Sequence, residues 1–147
     1  TGKPYEEFRN THINRCVFDS GLEADVAAEI ERSPLVAAWA KNDHLGFEIR
    51  YQFNGATRNY RPDYLVRLKD GQVLVIEAKG VEIDQDRAKE AALEEWVAAV
   101  NNHGGFGVWK CVVVRNPLEV KEILMEATRP DLSTEMVMTA GKRGRMR

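Results

Sequence analysis

YRPDYLVRL at residues 60–68 and QVLVIEAKG at residues 72–80 are the two runs that decide the fold. Both are short and rich in Val, Ile, Leu and Tyr, and three residues separate them, which predicts a β-hairpin. Asp63, Glu77 and Lys79 therefore lie inside strands where apolar residues are expected. Charges in buried strands are costly unless they are paired or bind a metal, so these three residues mark a candidate site.

The loop length decides whether the two carboxylates share one face of the hairpin. Side chains alternate along a strand, so a two-residue turn would place Asp63 opposite Ala78 and away from Glu77. A three-residue loop, Lys69-Asp70-Gly71, instead places Asp63 opposite Glu77, with Lys79 on the same face. We expect this loop, because its final glycine can supply the left-handed residue of a type I turn followed by a bulge.

The spacing of the three charges favours phosphodiester cleavage. Two carboxylates from adjacent strands can hold a hard cation such as Mg²⁺, and Mn²⁺ can replace it. A bound cation polarises a phosphate and lowers the pKa of a bound water. The ammonium of Lys79 would orient that water or offset the developing negative charge. Asp63, Glu77 and Lys79 are therefore the predicted catalytic residues, and the first two are the predicted metal ligands.

The composition predicts a single domain over residues 1–147, with a core at about 19–127 and a basic tail at 128–147. The chain has 147 residues and 44% hydrophobic content, enough for one globular core. Cys16 and Cys111 are too few for a disulfide framework or a zinc site, and predict reduced, mostly buried thiols. No signal peptide, membrane-spanning run or lipidation motif is found, so we expect a cytoplasmic protein without a membrane partner.

The net charge does not indicate nucleic-acid binding by itself. Its formal value is −2, whereas nucleic-acid-binding domains are often strongly basic. The last six residues, 142–147, carry four positive charges and no negative charge. This end of the chain is either a solvated terminus or an arm that contacts phosphates, and both interpretations remain open.

The first predicted helix offers a further acidic candidate. Asp19-Ser20 can cap a helix that begins near Leu22, and Glu23 completes a capping-box pattern with Ser20. Glu23 also falls on the same helical stripe as the apolar residues at 26, 27 and 30, which directs it toward the core. It therefore either caps the helix only, or reaches the metal site, within about one water's width of a metal or a metal-bound water.

The remaining pattern predicts helices on a small sheet, with the third and fourth strands parallel. A long helix carries an apolar stripe of Ala92, Trp96, Ala99 and Val100. Gln85 and Lys89 extend that stripe toward the helix start, either as structural residues or as groups that hold water or phosphate. The predicted bounds are the first helix continuing over 35–41 after Ser33-Pro34, strands at 46–53, 57–68, 72–79 and 106–114, and helices at 84 to about 102 and 118 to about 127.

The catalytic triplet resembles the Pro-Asp…Asp/Glu-x-Lys signature of the PD-(D/E)xK nuclease superfamily. The chain is most similar to the C-terminal endonuclease domain of type III restriction enzyme Res subunits. The resemblance lies in the triplet and in these surrounding segments: 20–42, Gly46-Phe47, 60–63, 77–80, 96–101 and 105–109.

This resemblance implies a restriction-endonuclease-like αβββαβ(α) core and Mg²⁺-dependent DNA cleavage. It adds the Ala78 carbonyl as a metal ligand, and Glu23 and Lys89 as further site residues. In that family the domain follows a helicase-like ATPase, so the implied partners are DNA and a helicase, translocase or modification subunit. The alternatives are a cleavage-dead nucleic-acid-binding module of the same fold, and a structure-specific or RNA-directed nuclease.

Overall fold

The computed structural model describes residues 5–7, 9–10, 15–17 and 20–129. Within these ranges the chain is a mixed α/β protein in which a small mixed sheet is flanked by helices. The elements in chain order are β1 (Tyr5–Glu7), β2 (Arg15–Val17), α1 (Gly21–Arg32), β3 (Val36–Lys41), β4 (Ile49–Phe53), β5 (Ala56–Tyr60), β6 (Tyr64–Leu68), β7 (Val73–Ala78), α2 (Asp84–His103), β8 (Trp109–Val114), a 3₁₀ turn (Pro117–Glu119) and α3 (Val120–Ala127).

The central sheet contains four strands in the order β3-β6-β7-β8. β6 is antiparallel to both β3 and β7, whereas β8 runs parallel to β7. Parallel neighbours need a crossover connection, and α2 supplies it between β7 and β8. The predicted parallel pairing of the third and fourth sheet strands is confirmed.

The β6–β7 hairpin has the predicted three-residue loop. Tyr64 pairs with Ile76, and the same register places Asp63 opposite Glu77 just beyond the paired residues. Gly71 adopts a φ of 93°, in the left-handed region that favours glycine. The predicted loop length and the facing carboxylates are therefore confirmed.

Two apolar layers cover the sheet. α1 and α3 cover one face, where Trp39 and Tyr64 meet edge to face at a centroid distance of 5.8 Å. α2 and the β4–β5 hairpin cover part of the other face, where Trp96 contacts Phe47 and Trp109. The residues of β6 and β7 on the face opposite to Asp63 and Glu77 belong to the first layer, namely Tyr64, Val66, Leu68, Leu74 and Ile76.

The predicted helical continuation over residues 35–41 is wrong. α1 ends at Arg32, and Val36–Lys41 forms β3 at the edge of the central sheet. The alanines of this segment favour a helix, but helix propensity is weak compared with tertiary pairing. Pairing with β6 satisfies the backbone and buries Trp39, so the strand is the more stable state.

The strands predicted on either side of Asn54-Gly55 form a hairpin, but this hairpin is a separate two-stranded sheet. Asn54 and Gly55 both have positive φ, as a tight two-residue hairpin turn requires. The predicted second strand, 57–68, is broken between Tyr60 and Tyr64. Pro62 lies in this break, where its missing N–H is not needed for a ladder.

The α2 bounds agree with the prediction, but its buried stripe is shifted by about one position. Leu93 and Val97 are its buried residues, and Ala99 is exposed rather than inward. Residues 92, 96 and 100 are only partly buried and flank that stripe. The fourth sheet strand begins at Trp109, three residues later than predicted, because glycines at 104, 105 and 107 adopt positive φ.

Two sequence predictions fall partly outside the described residues. Of the basic tail at 128–147, only Thr128 and Arg129 are described. Cys16 lies in β2, but its side chain is outside the described part. Cys111 is a free, half-buried thiol, and burial raises its pKa to about 11, so it stays protonated at neutral pH.

Candidate active site

Asp63 and Glu77 meet at the end of the β6–β7 hairpin, as predicted. The Asp63 N–H donates to Glu77 Oε2 at 3.1 Å, and the Ala78 N–H donates to Asp63 Oδ2 at 2.8 Å. The Tyr60 hydroxyl also donates to Glu77 Oε2, at 2.7 Å. One oxygen of each carboxylate is therefore fixed by hydrogen bonds from neighbouring groups.

The second oxygen of each carboxylate is not used in this way. Among the described residues no hydrogen-bond donor engages Asp63 Oδ1 or Glu77 Oε1. A carboxylate that is oriented through one oxygen presents the other in a fixed direction. The pair therefore offers two oxygen atoms suited to a hard cation.

The environment of the pair favours its protonated forms when no cation is bound. Burial, followed by the negative charge of Glu77, raises the pKa of Asp63 to about 8. Burial also raises the pKa of Glu77, although hydrogen bonds from Tyr60 and Asp63 act in the opposite direction. Two partly buried carboxylates repel each other, and a bound cation would relieve that repulsion.

The side of the pair that faces α1 is closed by ion pairs. Lys41 Nζ lies 2.9 Å from Asp43 Oδ1 and 3.8 Å from Glu23 Oε2, and the Lys41 side chain is only 5% exposed. Burial acts to lower the pKa of Lys41, but Asp43, Glu23 and Asp63 outweigh it and raise that pKa. Lys41 thus remains charged beside the carboxylates.

Glu23 lies on this closed side. Its N–H donates to the Ser20 Oγ at 3.2 Å, which confirms the predicted N-cap. Its carboxylate is 13% exposed and pairs with Lys41, and its charge contributes to the raised pKa of Asp63. Glu23 therefore faces the interior near Asp63, and its contact with a metal-bound water stays a prediction.

The side that faces α2 is a small open cleft with a volume of about 20 Å³. Lys79 lies at its wall, with Nζ 3.3 Å from Asp86 Oδ1, and Lys89 Nζ lies 4.0 Å from the same oxygen. These ammonium groups belong to side chains that are 35% and 30% exposed. Lys89 also lies over the Tyr60 ring, at 5.7 Å from its centroid. The two lysines can therefore meet a ligand that enters from solvent.

The structure separates the two polar residues predicted along the start of α2. Lys89 lines the cleft together with Glu77. Gln85 instead donates from Nε2 to the Tyr51 hydroxyl at 2.5 Å, which joins α2 to the β4–β5 hairpin. A role for Gln85 or Lys89 toward a substrate stays a prediction, as does metal binding by the Ala78 carbonyl.

Lys41, Tyr60 and Asp86 are site residues that the sequence interpretation missed. Lys41 was hidden because its segment was assigned to a helix. Tyr60 falls three residues before Asp63, at the end of a hairpin whose position relative to Glu77 depends on tertiary packing. The helix-capping role of Asp86 could have been predicted, because an acidic residue in the first turn commonly caps a helix. In the structure its Oδ2 accepts a hydrogen bond from the Ile83 N–H at 2.9 Å.

No group of three or more His, Cys, Asp or Glu side chains is arranged to hold a metal ion among residues 20–129 and the other described positions. Two carboxylates alone can still suffice for Mg²⁺, which usually keeps several waters and is bound through one or two carboxylates plus substrate phosphates. The donor set fits Mg²⁺ better than Zn²⁺, since Zn²⁺ sites usually use nitrogen and sulfur ligands.

Comparison of the chain with protein-family models, with curated proteins and with solved structures finds no match. None of the described helices combines the length and the apolar character needed to cross a membrane.

Proposed function

We propose that this protein is a metal-dependent endonuclease that hydrolyses DNA phosphodiester bonds. The observation that carries the proposal is the paired carboxylates Asp63 and Glu77, each oriented through one oxygen and each with a raised pKa. Holding two acids together in this way is costly without a cation. The arrangement therefore suggests a site built for cation binding.

Mg²⁺ is the proposed cofactor, with Mn²⁺ as a substitute. Asp63 and Glu77 would hold it together with the Ala78 carbonyl. When bound, such an ion polarises a phosphate and lowers the pKa of a coordinated water. Tyr60 supports this role, because its pKa is raised by burial and by Glu77, so its hydroxyl keeps the proton that it donates to Glu77.

Lys79 is the proposed catalytic ammonium. It follows Glu77 by two residues and is exposed to the cleft, where Asp86 Oδ1 holds its Nζ at 3.3 Å. An ammonium held in this position can orient an attacking water or stabilise negative charge on a phosphate oxygen. Lys89 and Glu23 are proposed as supporting residues on the two sides of the pair.

The strand order supports the fold-level part of the proposal. With the β4–β5 hairpin treated as an insertion, the central elements run α1-β3-β6-β7-α2-β8, with three antiparallel strands and a fourth parallel to the third. This is compatible with a restriction-endonuclease-like αβββαβ(α) core. A relationship to the Res-subunit endonuclease domain, a helicase, translocase or modification partner, and a cytoplasmic location belong to the same proposal.

A cleavage-dead nucleic-acid-binding module is the second candidate. It is favoured by the lack, among the described residues, of a third acidic ligand arranged with Asp63 and Glu77. Plasmid DNA, single-stranded DNA and RNA should therefore be incubated with the protein, with and without Mg²⁺ or Mn²⁺. This comparison also separates the proposed deoxyribonuclease from a structure-specific or RNA-directed nuclease.

We expect Mg²⁺-dependent nicking of plasmid DNA that Glu77→Ala abolishes, because that variant loses a ligand oxygen. Glu95→Ala, which removes an exposed carboxylate from α2, should nick as the parent protein does. Calorimetric titration with Mg²⁺ should show binding to the parent and to Glu95→Ala only. Nicking that is independent of metal, or that survives in Glu77→Ala, would overturn the proposed mechanism.

A further inference from the structure

The β4–β5 hairpin presents a polar face to solvent beside the candidate active site. Arg50 pairs with Asn59, and Gln52 pairs with Thr57, so these four exposed side chains share one face of the hairpin. Gln52 Nε2 donates to Thr57 Oγ1 at 2.7 Å. This face is rich in hydrogen-bonding groups and contributes nothing to the apolar core.

The hairpin is also locally basic in a chain that is acidic overall. Its residues 49–60 include two arginines and no acidic residue, against a formal net charge of −2 for the whole chain. Both Arg50 and Arg58 are exposed. Neither guanidinium forms an ion pair with a carboxylate of the described residues. Arg50 belongs to the polar face, whereas Arg58 pairs with Tyr51 and lies on the opposite face of the hairpin. The polar face thus carries one positive charge available to a polyanion, that of Arg50.

We propose that the β4–β5 hairpin is a β-ribbon that binds double-stranded DNA in the major groove, an inference that rests on the proposed nuclease function. The major groove is wide enough, at about 12 Å, to admit a two-stranded ribbon. Arg, Gln, Asn and Thr are side chains that hydrogen-bond the edges of base pairs there. The outer face of the hairpin consists of these four residue types.

The same face is unsuited to single-stranded nucleic acid. Single strands are usually held by aromatic side chains on which their bases stack. The aromatic residues of this hairpin, Tyr51, Phe53 and Tyr60, instead belong to the layer packed between the hairpin and α2. The outward positions offer hydrogen bonds and charge without a stacking surface, which favours a duplex.

The hairpin is placed so that a bound duplex would approach the carboxylates. Tyr60 ends β5, and its hydroxyl contacts Glu77. A strand of five residues extends for roughly 17 Å. A duplex whose groove holds the ribbon would therefore carry its backbone close to Asp63 and Glu77, which face the base of the hairpin.

The test measures DNA binding without metal, so that it does not depend on cleavage. Fluorescence anisotropy would compare a labelled duplex with the matching single strand in the presence of EDTA. We expect Arg50→Gln to lose at least about fivefold in duplex affinity. The matched control, Lys121→Gln, removes one exposed positive charge outside the hairpin and should bind as the parent does. Gln52→Ala/Asn59→Ala keeps the net charge and should also lose at least about fivefold.

Circular dichroism melting would establish that each variant is folded. If the arginine variant does not fold, the Gln52→Ala/Asn59→Ala result decides the proposal. Tighter binding of the single strand, no duplex binding by the parent, or equal affinities of the hairpin and control variants would overturn it. A parent protein that binds duplex through the hairpin but does not nick with Mg²⁺ would refute the proposed function and leave this inference intact.

Discussion

The α1 side and the α2 side of the carboxylate pair contain the same kinds of charge but differ in access to solvent. On the α1 side, Lys41 is buried between Asp43 and Glu23. On the α2 side, Lys79 and Lys89 share Asp86 and are about one-third exposed. Lys41 is thus enclosed by protein, whereas Lys79 and Lys89 line the cleft.

This difference in exposure indicates that Lys41 has a different role from Lys79 and Lys89. A buried ammonium with two carboxylate partners cannot leave them to bind a ligand without a large cost in free energy. Lys41 therefore stabilises the fold around Asp63. A partly exposed ammonium with one carboxylate partner can exchange that partner for an incoming phosphate at little cost in free energy. Stability should therefore depend on the α1 side, and activity on the α2 side.

The largest expected effect is the loss of stability in Lys41→Met. This change removes the buried ammonium that pairs with Glu23 and Asp43, and we expect it to lower the free energy of unfolding by about 3–5 kcal/mol. Lys121→Met, which changes an exposed lysine on α3, should alter that energy by less than about 0.5 kcal/mol. Urea denaturation measures both, and equal losses in the two variants would contradict the assignment of Lys41 to a structural role.

The next effect concerns activity on the open side. Lys79→Ala should reduce plasmid nicking on the order of 100- to 1,000-fold, because an ammonium that stabilises developing charge is lost. Its affinity for Mg²⁺ should be largely unchanged, since an ammonium cannot ligate a cation. Nicking and calorimetric titration measure the two properties. Arg87→Ala, at an exposed position of α2, is the control, and parent-like nicking by Lys79→Ala would refute the catalytic role.

The last effect, which is the smallest when measured over one pH unit, is a pH dependence of stability that arises from Asp63. Its pKa is raised to about 8 in the folded protein, so the folded state keeps a proton that the unfolded state has lost between about pH 4 and pH 8. The metal-free protein should therefore lose stability as pH rises through this range, by up to roughly 1.4 kcal/mol per pH unit.

Asp63→Asn should remove this contribution while it keeps an acceptor for the Ala78 N–H. Urea denaturation in EDTA at several pH values would measure the slopes for parent and variant. Asp25→Asn, at an exposed position of α1, should keep the parent slope. Identical slopes for the parent protein and Asp63→Asn would show that Asp63 titrates normally.

The sequence predicted the β6–β7 hairpin well because its determinants are local. Alternation fixes which residues of a strand share a face, and a three-residue loop ending in Gly71 fixes the register. Together these two features placed Asp63 opposite Glu77 without any knowledge of the rest of the molecule. The N-cap at Ser20 was equally readable, because capping involves residues only three apart.

Features that depend on contacts between residues far apart in the chain were predicted poorly from the sequence. Residues 36–41 became a strand because β6 was available to pair with them, which their alanine content does not reveal. Lys41 therefore went unnoticed as a neighbour of Glu23. Tyr60 was missed for the same reason, since its contact with Glu77 requires a separate hairpin to pack against α2.

The β4–β5 hairpin lies between β3 and β6 in the chain, outside the central sheet, and this placement has a consequence for how the protein can diversify. The Asn42 N–H donates to the Asp63 carbonyl at 2.8 Å, so the two ends of the intervening segment are joined by the backbone itself. Segments whose ends are already held together tolerate changes in length and sequence. The exposed turn and outer strand positions can thus be rewritten while Tyr60 continues to orient Glu77. Under the proposed nuclease function, this segment could therefore exchange one DNA specificity for another without any change to the Asp63–Glu77 pair.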